Sequence, residues 1–161
     1  MRSYGVPSTE VLVTDLTPGN FEYGEVLNVS ISNILLYLSE VSPRGTLART
    51  VPITVRPPGD AWYVSMMVST VAFPDPSKLP TPANFEMSLE PVAERLFATL
   101  AFNTTSLPSE ADFKAACAEL TRDVPKAFSV VAGKWTPAYA IYSGRDAKLF
   151  TNECWLEVQH V

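Results

Sequence analysis

The sequence has few of the residues and motifs on which most enzymes and metal proteins depend. It contains one histidine, His160, at the penultimate position, where chain ends usually fray. A histidine-based catalytic triad or a histidine metal site is therefore not expected. No GxGxxG, GxxxxGK or GxSxG string occurs, so the sequence offers neither a phosphate-binding loop nor a nucleophile elbow.

Cysteine, basic clusters and long apolar runs are also scarce. The two cysteines, Cys117 and Cys154, form no CxxC pair, and we expect two buried small residues rather than a disulfide framework or a metal site. The 12 Lys and Arg residues are scattered in a chain of net charge -5, which argues against a nucleic-acid surface. No apolar run approaches the roughly 18 residues that a membrane span needs.

The length and composition predict one soluble globular domain. A chain of 161 residues that is 47% hydrophobic and 18% charged can bury a continuous core without disulfide or metal support. No secretory signal begins the chain, so we expect the cytoplasm, or an organelle after removal of a presequence, and the sequence leaves the compartment open.

Hydrophobic periodicity predicts a strand, a helix and a hairpin in the first half of the chain. These elements are a strand over 9–15, a helix over 27–41, and hairpin strands over 49–55 and 61–71. Pro52 indicates an edge or a bulge, because proline cannot donate to a strand ladder. Four prolines within 73–85 predict a crossover loop without regular structure.

The second half repeats this order. Strands are predicted over 85–91, 94–102, 127–133, 138–144 and 152–158, with a helix that starts at Pro108 or Ser109 and ends near Val124. Ser109 and Asp112 resemble a capping box at the start of that helix. The predicted fold class is α+β: a pseudo-twofold repeat, about 9–71 and 85–158, in which two helices pack on a curved antiparallel or mixed sheet.

Aromatic and sulfur-containing residues lie near basic residues, a combination that suits a flat, apolar, anionic ligand. Candidate ligand contacts are Trp62, Met66, Tyr139, Tyr142 and Trp155. Candidate partners for the ligand's carboxylates are Arg49, Lys134, Arg145 and Lys148. The alternative interpretation is an aromatic core with exposed basic residues.

Several segments together resemble one protein family. "VLVTD" (11–15) and "ILLYLSEVSPRG" (34–45) precede "TVPITV" (50–55), and "NECWLEV" (152–158) is similar to an Asn-Glu-x-Trp-Leu-Glu-Val ending. This pattern resembles the SOUL haem-binding-protein family over residues 10–158. Departures are Arg49 where that family has a methionine, no counterpart of its first strand before residue 11, and no histidine at the position sometimes proposed as a haem ligand.

The resemblance implies a distorted open barrel with two helices and an apolar groove, between a helix and the sheet, that binds haem or another tetrapyrrole. On this hypothesis the protein is a tetrapyrrole carrier or buffer, and Trp155 either lines the groove or packs against a helix. The missing first strand would leave an exposed sheet edge.

Two other classes of function stay open. One is an enzyme that reuses the groove on a small apolar or tetrapyrrole substrate, with Tyr139, Tyr142 and Asp146 as acid and base candidates. The other is an assembly subunit that takes a homodimeric or other protein partner at the exposed edge. The sequence favours binding over catalysis.

Overall fold

The computed structural model describes residues 2–4, 11–18, 23–42, 52–56, 61–68, 73–84, 86–91, 93–133, 136–143 and 147–161. Within them the chain forms two α-helices and nine β-strands. The elements are β1 (Arg2–Tyr4), β2 (Val11–Pro18), α1 (Tyr23–Val41), β3 (Ile53–Arg56), β4 (Ala61–Met67), β5 (Met87–Pro91), β6 (Arg95–Thr104), α2 (Glu110–Asp123), β7 (Phe128–Val130), β8 (Ala138–Ile141) and β9 (Phe150–His160).

The nine strands form one antiparallel sheet in the order β1-β6-β9-β8-β3-β4-β2-β5, and β7 pairs with the end of β9. The triplet β2-β4-β3 of the first half mirrors the triplet β6-β9-β8 of the second half. The two triplets meet where β3 pairs with β8, at Ile53 opposite Ile141 and Val55 opposite Tyr139. The α+β fold class with two repeated units is therefore confirmed, as an open sheet.

The predicted helix of the first half is confirmed as α1. Its inward stripe buries Ile34, Tyr37 and Leu38, while Val29 and Leu36 are exposed on the other side. Five β-branched residues lie in this helix, which lowers its intrinsic propensity, so packing against the sheet must supply much of its stability. No helix among the described residues is long and apolar enough to cross a membrane.

The predicted capping box at the start of α2 is also confirmed. The Ser109 hydroxyl accepts a hydrogen bond from the Asp112 backbone N–H, and an Asp112 carboxylate oxygen accepts one from the Ser109 backbone N–H at 2.7 Å. This reciprocal pair satisfies donors that a helix start otherwise leaves without partners. The helix buries Phe113, Ala116, Cys117 and Leu120 against the sheet.

The expectation of two separate cysteines was wrong. Cys117 on α2 and Cys154 on β9 form a disulfide, with their Cα atoms 5.4 Å apart. The bond ties the second helix to a central strand of the sheet across 37 residues of sequence. Sequence spacing could not reveal the pairing, because only the fold brings the two Cα atoms within bonding range.

Two local predictions need adjustment. A three-residue strand that the sequence did not indicate, β1, precedes β2 and pairs with Arg95–Phe97 of β6. Within residues 73–84, which the structure describes, the proline-rich crossover contains a 3-10 turn at Pro76–Lys78. Pro52 stands immediately before β3, where its missing N–H costs the ladder nothing.

The alternation of side chains along the strands gives the sheet two distinct faces. One face carries the main core, to which both helices contribute. The other holds a separate buried cluster whose members come from strands alone: Phe97, Ala138, Ala140 and Trp155, with Met67 and Tyr142 packed against it. We call this second surface the helix-free face.

A candidate small-molecule site on the helix-free face

The centre of the helix-free face consists of small side chains. Strand pairing places Ala140 of β8 between Glu153 of β9 and Thr54 of β3, and places Ser65 of β4 beyond Thr54. Thr54, Ser65 and Ala140 are all buried. Short side chains take up less of the space over the sheet than the larger ones around them, and their low exposure shows that the protein's own atoms lie over them.

Large apolar side chains lie on both sides of this small-residue centre. The Phe97 and Trp155 rings pack at a centroid distance of 5.3 Å and a tilt of 42°. Met67 on β4 and Tyr142 at the end of β8 complete the cluster. Because neighbouring strands lie about 4.8 Å apart, the four steps from β6 to β4 span roughly 19 Å of the sheet.

Glu153 is a carboxylate in this apolar setting, and it is only 3% exposed. Its Oε2 atom accepts hydrogen bonds from the Tyr142 hydroxyl at 2.7 Å and from the Trp155 indole N–H at 2.8 Å. Buried charges are costly unless they are hydrogen-bonded or paired, so proteins keep them mainly where structure or function needs them. The carboxylate gives the helix-free face a fixed acceptor of hydrogen bonds.

Arg56 places a positive charge on the same face, and its side chain is fully buried. Its Nη2 atom donates to the Ser65 hydroxyl at 3.2 Å and lies 3.7 Å from Oε1 of Glu90, while its guanidinium carbon is 5.3 Å from the centroid of the Tyr63 ring. Burial lowers the pKa of Arg56, which the nearby Glu90 carboxylate opposes. A guanidinium still remains charged near neutral pH, because the ordinary pKa of arginine lies far above that range.

Thr54 presents an additional polar group at the small-residue centre. The residue is 6% exposed, and within the described part of the chain its Oγ1 atom has no hydrogen-bond partner. A buried hydroxyl without a partner costs about 1–3 kcal/mol relative to one that is hydrogen-bonded. Such an atom on a candidate binding surface is therefore a natural point of attachment for a ligand.

The candidate ligand contacts from the sequence divide between the two faces. Trp62, Met66 and Tyr139 belong to the core under the helices. The Tyr139 ring stacks on Phe113 at 4.6 Å, and burial raises the pKa of Tyr139 to about 12, so its phenol stays protonated at neutral pH. Tyr142 and Trp155 lie on the helix-free face with Glu153.

The structure describes one of the four candidate cations. Lys148 is exposed. Arg49, Lys134 and Arg145 lie outside the described residues, as does the acid candidate Asp146. In the part of the chain that is described, no group of three or more His, Cys, Asp and Glu side chains is arranged to hold a metal ion.

Sequence reasoning missed three polar residues of the helix-free face. Arg56 ends a strand, where an arginine is normally solvated, and Thr54 and Ser65 look like ordinary strand residues. The alternation of "NECWLEV" did place Glu153 beside Trp155, and this was the one signal of a charged group in an aromatic setting.

Among the described residues, two grooves lie on the helix side of the molecule. One, of about 310 Å³, runs between α2 and β6 and is lined by residues including Phe102, Asn103, Asp112 and Glu119. The other, of about 100 Å³, lies between α1 and the proline-rich segment and includes Leu36 and Tyr37. Neither combines an apolar surface with buried charged groups.

Comparisons with known proteins identify the fold and leave the family unassigned. No family model matches the chain, and no curated protein matches it. The crystal structure of the EcmrR C-terminal domain is similar, with a TM-score of 0.62 over 99% of this chain and 97% of that one, at 10% sequence identity. At such low identity the similarity supports the arrangement of helices and strands alone.

Proposed function

We propose that the protein binds a small planar molecule of the tetrapyrrole class on its helix-free face and acts as its carrier or buffer. The proposal rests on one observation: an apolar surface built around Trp155 and Phe97 contains buried charged groups of both signs, Glu153 and Arg56. Packing of the sheet alone does not require these charges, since replacing buried ion pairs with apolar residues is often neutral or stabilising.

The chemistry of the helix-free face matches the parts of a tetrapyrrole. Aromatic and sulfur-containing side chains suit the flat ring system, the small residues at the centre take up little of the space over the sheet, and the Arg56 guanidinium suits a propionate. The resemblance to the SOUL family points to the same class of ligand. In that family the ligand lies between a helix and the sheet, whereas here the described space under the helices is occupied by the chain's own rings, such as the stacked pair Phe113 and Tyr139.

A titration of the purified apo-protein with haemin, followed at the Soret band, tests the proposal. We expect a saturable spectral shift at micromolar protein with one ligand per chain. Trp155→Ala, which removes the ring from the helix-free face, should weaken binding, while Phe102→Ala, which removes a ring on the helix side, should change it little. A spectrum that does not saturate, or equal effects of the two substitutions, would rule the proposal out.

An enzyme that uses the same face is a second candidate, and the hydrogen bond between Tyr142 and Glu153 favours it. A phenol and a carboxylate 2.7 Å apart can exchange a proton with a substrate bound over them. Chromatographic analysis of each bound tetrapyrrole after prolonged incubation separates the two functions. Recovery of unchanged ligand supports the carrier, and protein-dependent conversion that is lost in Tyr142→Phe supports the enzyme.

A further inference from the structure

The outer edge of β6 is paired with a neighbouring strand along only part of its length. β1 pairs with Arg95–Phe97 of this ten-residue strand, and β9 pairs with its other edge as far as Thr104. Within the described residues, no strand pairs with the outer edge of residues 98–104. Their sequence, "ATLAFNT", contains no charged residue and no proline, the residues with which proteins usually protect such an edge.

A groove of about 310 Å³ follows this part of the edge. Five consecutive residues of β6, 100–104, line it together with Asp112, Ala115, Ala116 and Glu119 of α2. Successive strand residues point to opposite faces of a sheet, so a groove that touches five in a row must run along the edge rather than over one face. The α2 residues follow the spacing of one helical side, and the two alanines among them leave room between the helix and the strand.

β1 shows which kind of segment this edge accepts. It is an extended segment antiparallel to β6, and its first residue pairs with Phe97. A further extended segment in line with β1 meets residues 100–104, of which alternate ones direct their backbone N–H and C=O groups away from β9. Over these five residues an added strand spans about 17 Å and forms about four to six backbone hydrogen bonds.

The charges along the groove favour a basic partner. The two charged side chains that line it, Asp112 and Glu119, are acidic and exposed, and within the described chain Glu119 has no ion-pair partner. They lie about 10 Å apart along the helix axis, a span that basic side chains two or four positions apart on a strand can reach. A second copy of this chain fits less well, because symmetric pairing of the two edges would bring the acidic groups of both grooves together.

We propose that the outer edge of β6 is a docking site for an extended, basic peptide segment of a partner protein, which adds a strand beside residues 100–104. The backbone of the segment bonds to the strand edge, and its side chains on the helix side are lysine or arginine. Their apolar stems lie along Ala115 and Phe102, and their charges face Asp112 and Glu119. This surface lies on the helix side of the molecule, so the inference goes beyond the proposed function and does not depend on it.

Isothermal titration of the full chain with a short, end-blocked peptide of alternating lysine and valine tests the inference. We expect saturable binding with a dissociation constant below about 1 mM. Ala115→Phe, which fills the groove, should weaken binding at least about tenfold, whereas Ala118→Phe, on the exposed side of α2, should not. Glu119→Lys should weaken it about fivefold, whereas Glu40→Lys, the same charge change on α1, should change it less than about twofold.

Peptides with methylated backbone nitrogens separate strand addition from charge attraction alone. Only alternate N–H groups of an added strand face the strand edge, so methylation of one alternating set should abolish binding, and methylation of the other should leave it within about threefold. Lack of saturable binding, equal losses for the two methylated sets, or a native dimer that Ala115→Phe turns into a monomer would overturn the inference. Ala115 and Glu119 are both exposed, so their variants are expected to fold, and far-UV circular dichroism checks this.

Discussion

The indole N–H of Trp155 donates a hydrogen bond to the carboxylate of Glu153, two residues earlier in the same strand, at 2.8 Å. This bond explains why a strand near the chain end carries a large aromatic residue on its charged side. Strand geometry puts residues i and i+2 on one face, so the indole N–H can donate to the carboxylate while the ring packs against Phe97. The indole N–H of Trp155 and the carboxylate of Glu153 are both buried, and this bond gives each of them a hydrogen-bond partner.

The second donor to Glu153 gives a direct energetic prediction. Tyr142→Phe removes the hydroxyl that bonds the carboxylate and keeps the ring. A double-mutant cycle with Glu153→Gln should show a coupling of about 1.5–3 kcal/mol in the free energy of unfolding, the range for hydrogen bonds to charged groups. The control is Tyr63→Phe, on the other side of the face, which should show no coupling with Glu153→Gln. Equal coupling for both tyrosines would contradict the assignment.

The disulfide should contribute measurably to stability. For a bond that closes 37 residues, the loop-entropy estimate is about 3–4 kcal/mol. Denaturant unfolding with and without reductant should show a loss of this order. The variant carrying both Cys117→Ser and Cys154→Ser should be insensitive to reductant. Two free thiols in a thiol assay of the native, unreduced protein would show that the bond does not form.

The capping box of α2 should be sensitive to pH. Hydrogen bonds from Ser109, the backbone N–H first among them, lower the pKa of Asp112 below its ordinary 3.8. A lowered pKa in the folded state means that the contribution to stability is present above pH 3.8 and is lost as the pH falls through the lowered value. Asp112→Asn should therefore cost about 0.5–1 kcal/mol at neutral pH and progressively less in acid. A cost that is independent of pH would show that the carboxylate charge plays no part.

Removing one partner of the ion pair between Arg56 and Glu90 should lower the free energy of unfolding. Glu90→Gln removes the charge that faces the buried guanidinium, and the free energy of unfolding should fall by about 1–3 kcal/mol. Arg56→Met replaces the buried charge with an apolar side chain of similar length and should reduce the cost of Glu90→Gln when the two are combined. As a control, Glu119→Gln on the exposed side of α2 should stay within about 0.5 kcal/mol. No difference between Glu90→Gln and Glu119→Gln would argue that Arg56 does not depend on Glu90.

Local patterns in the sequence predicted the local elements well. The apolar spacing of α1, the Ser109 and Asp112 capping box, and the hairpin that follows the first helix depend on residues close to one another in sequence. The pairing of β3 with β8 and the disulfide depend on how the two halves meet, and local periodicity carries no information on that.

The same limit applies to the candidate site: neighbours along one strand can be predicted from spacing, and neighbours across strands cannot. Tyr139 and Tyr142 are three residues apart, an odd spacing that places strand residues on opposite faces, so grouping them in one site conflicted with strand geometry. Trp155 and Glu153 have an even spacing and do lie together. Thr54 and Ser65 could not be found, because their significance comes from being neighbours of Ala140 and Arg56 across strands.

The central claim is that the ligand lies over the small residues at the centre of the helix-free face, and filling that place tests it most directly. Ala140→Leu adds bulk beside Thr54 and Glu153, whereas Ala118→Leu adds the same bulk on the exposed side of α2. Haemin and biliverdin titrations of both variants should be run after far-UV circular dichroism shows that each is folded. The account predicts at least a tenfold loss of affinity, about 1.4 kcal/mol, in Ala140→Leu and none in Ala118→Leu. Undiminished tetrapyrrole binding by folded Ala140→Leu would contradict it.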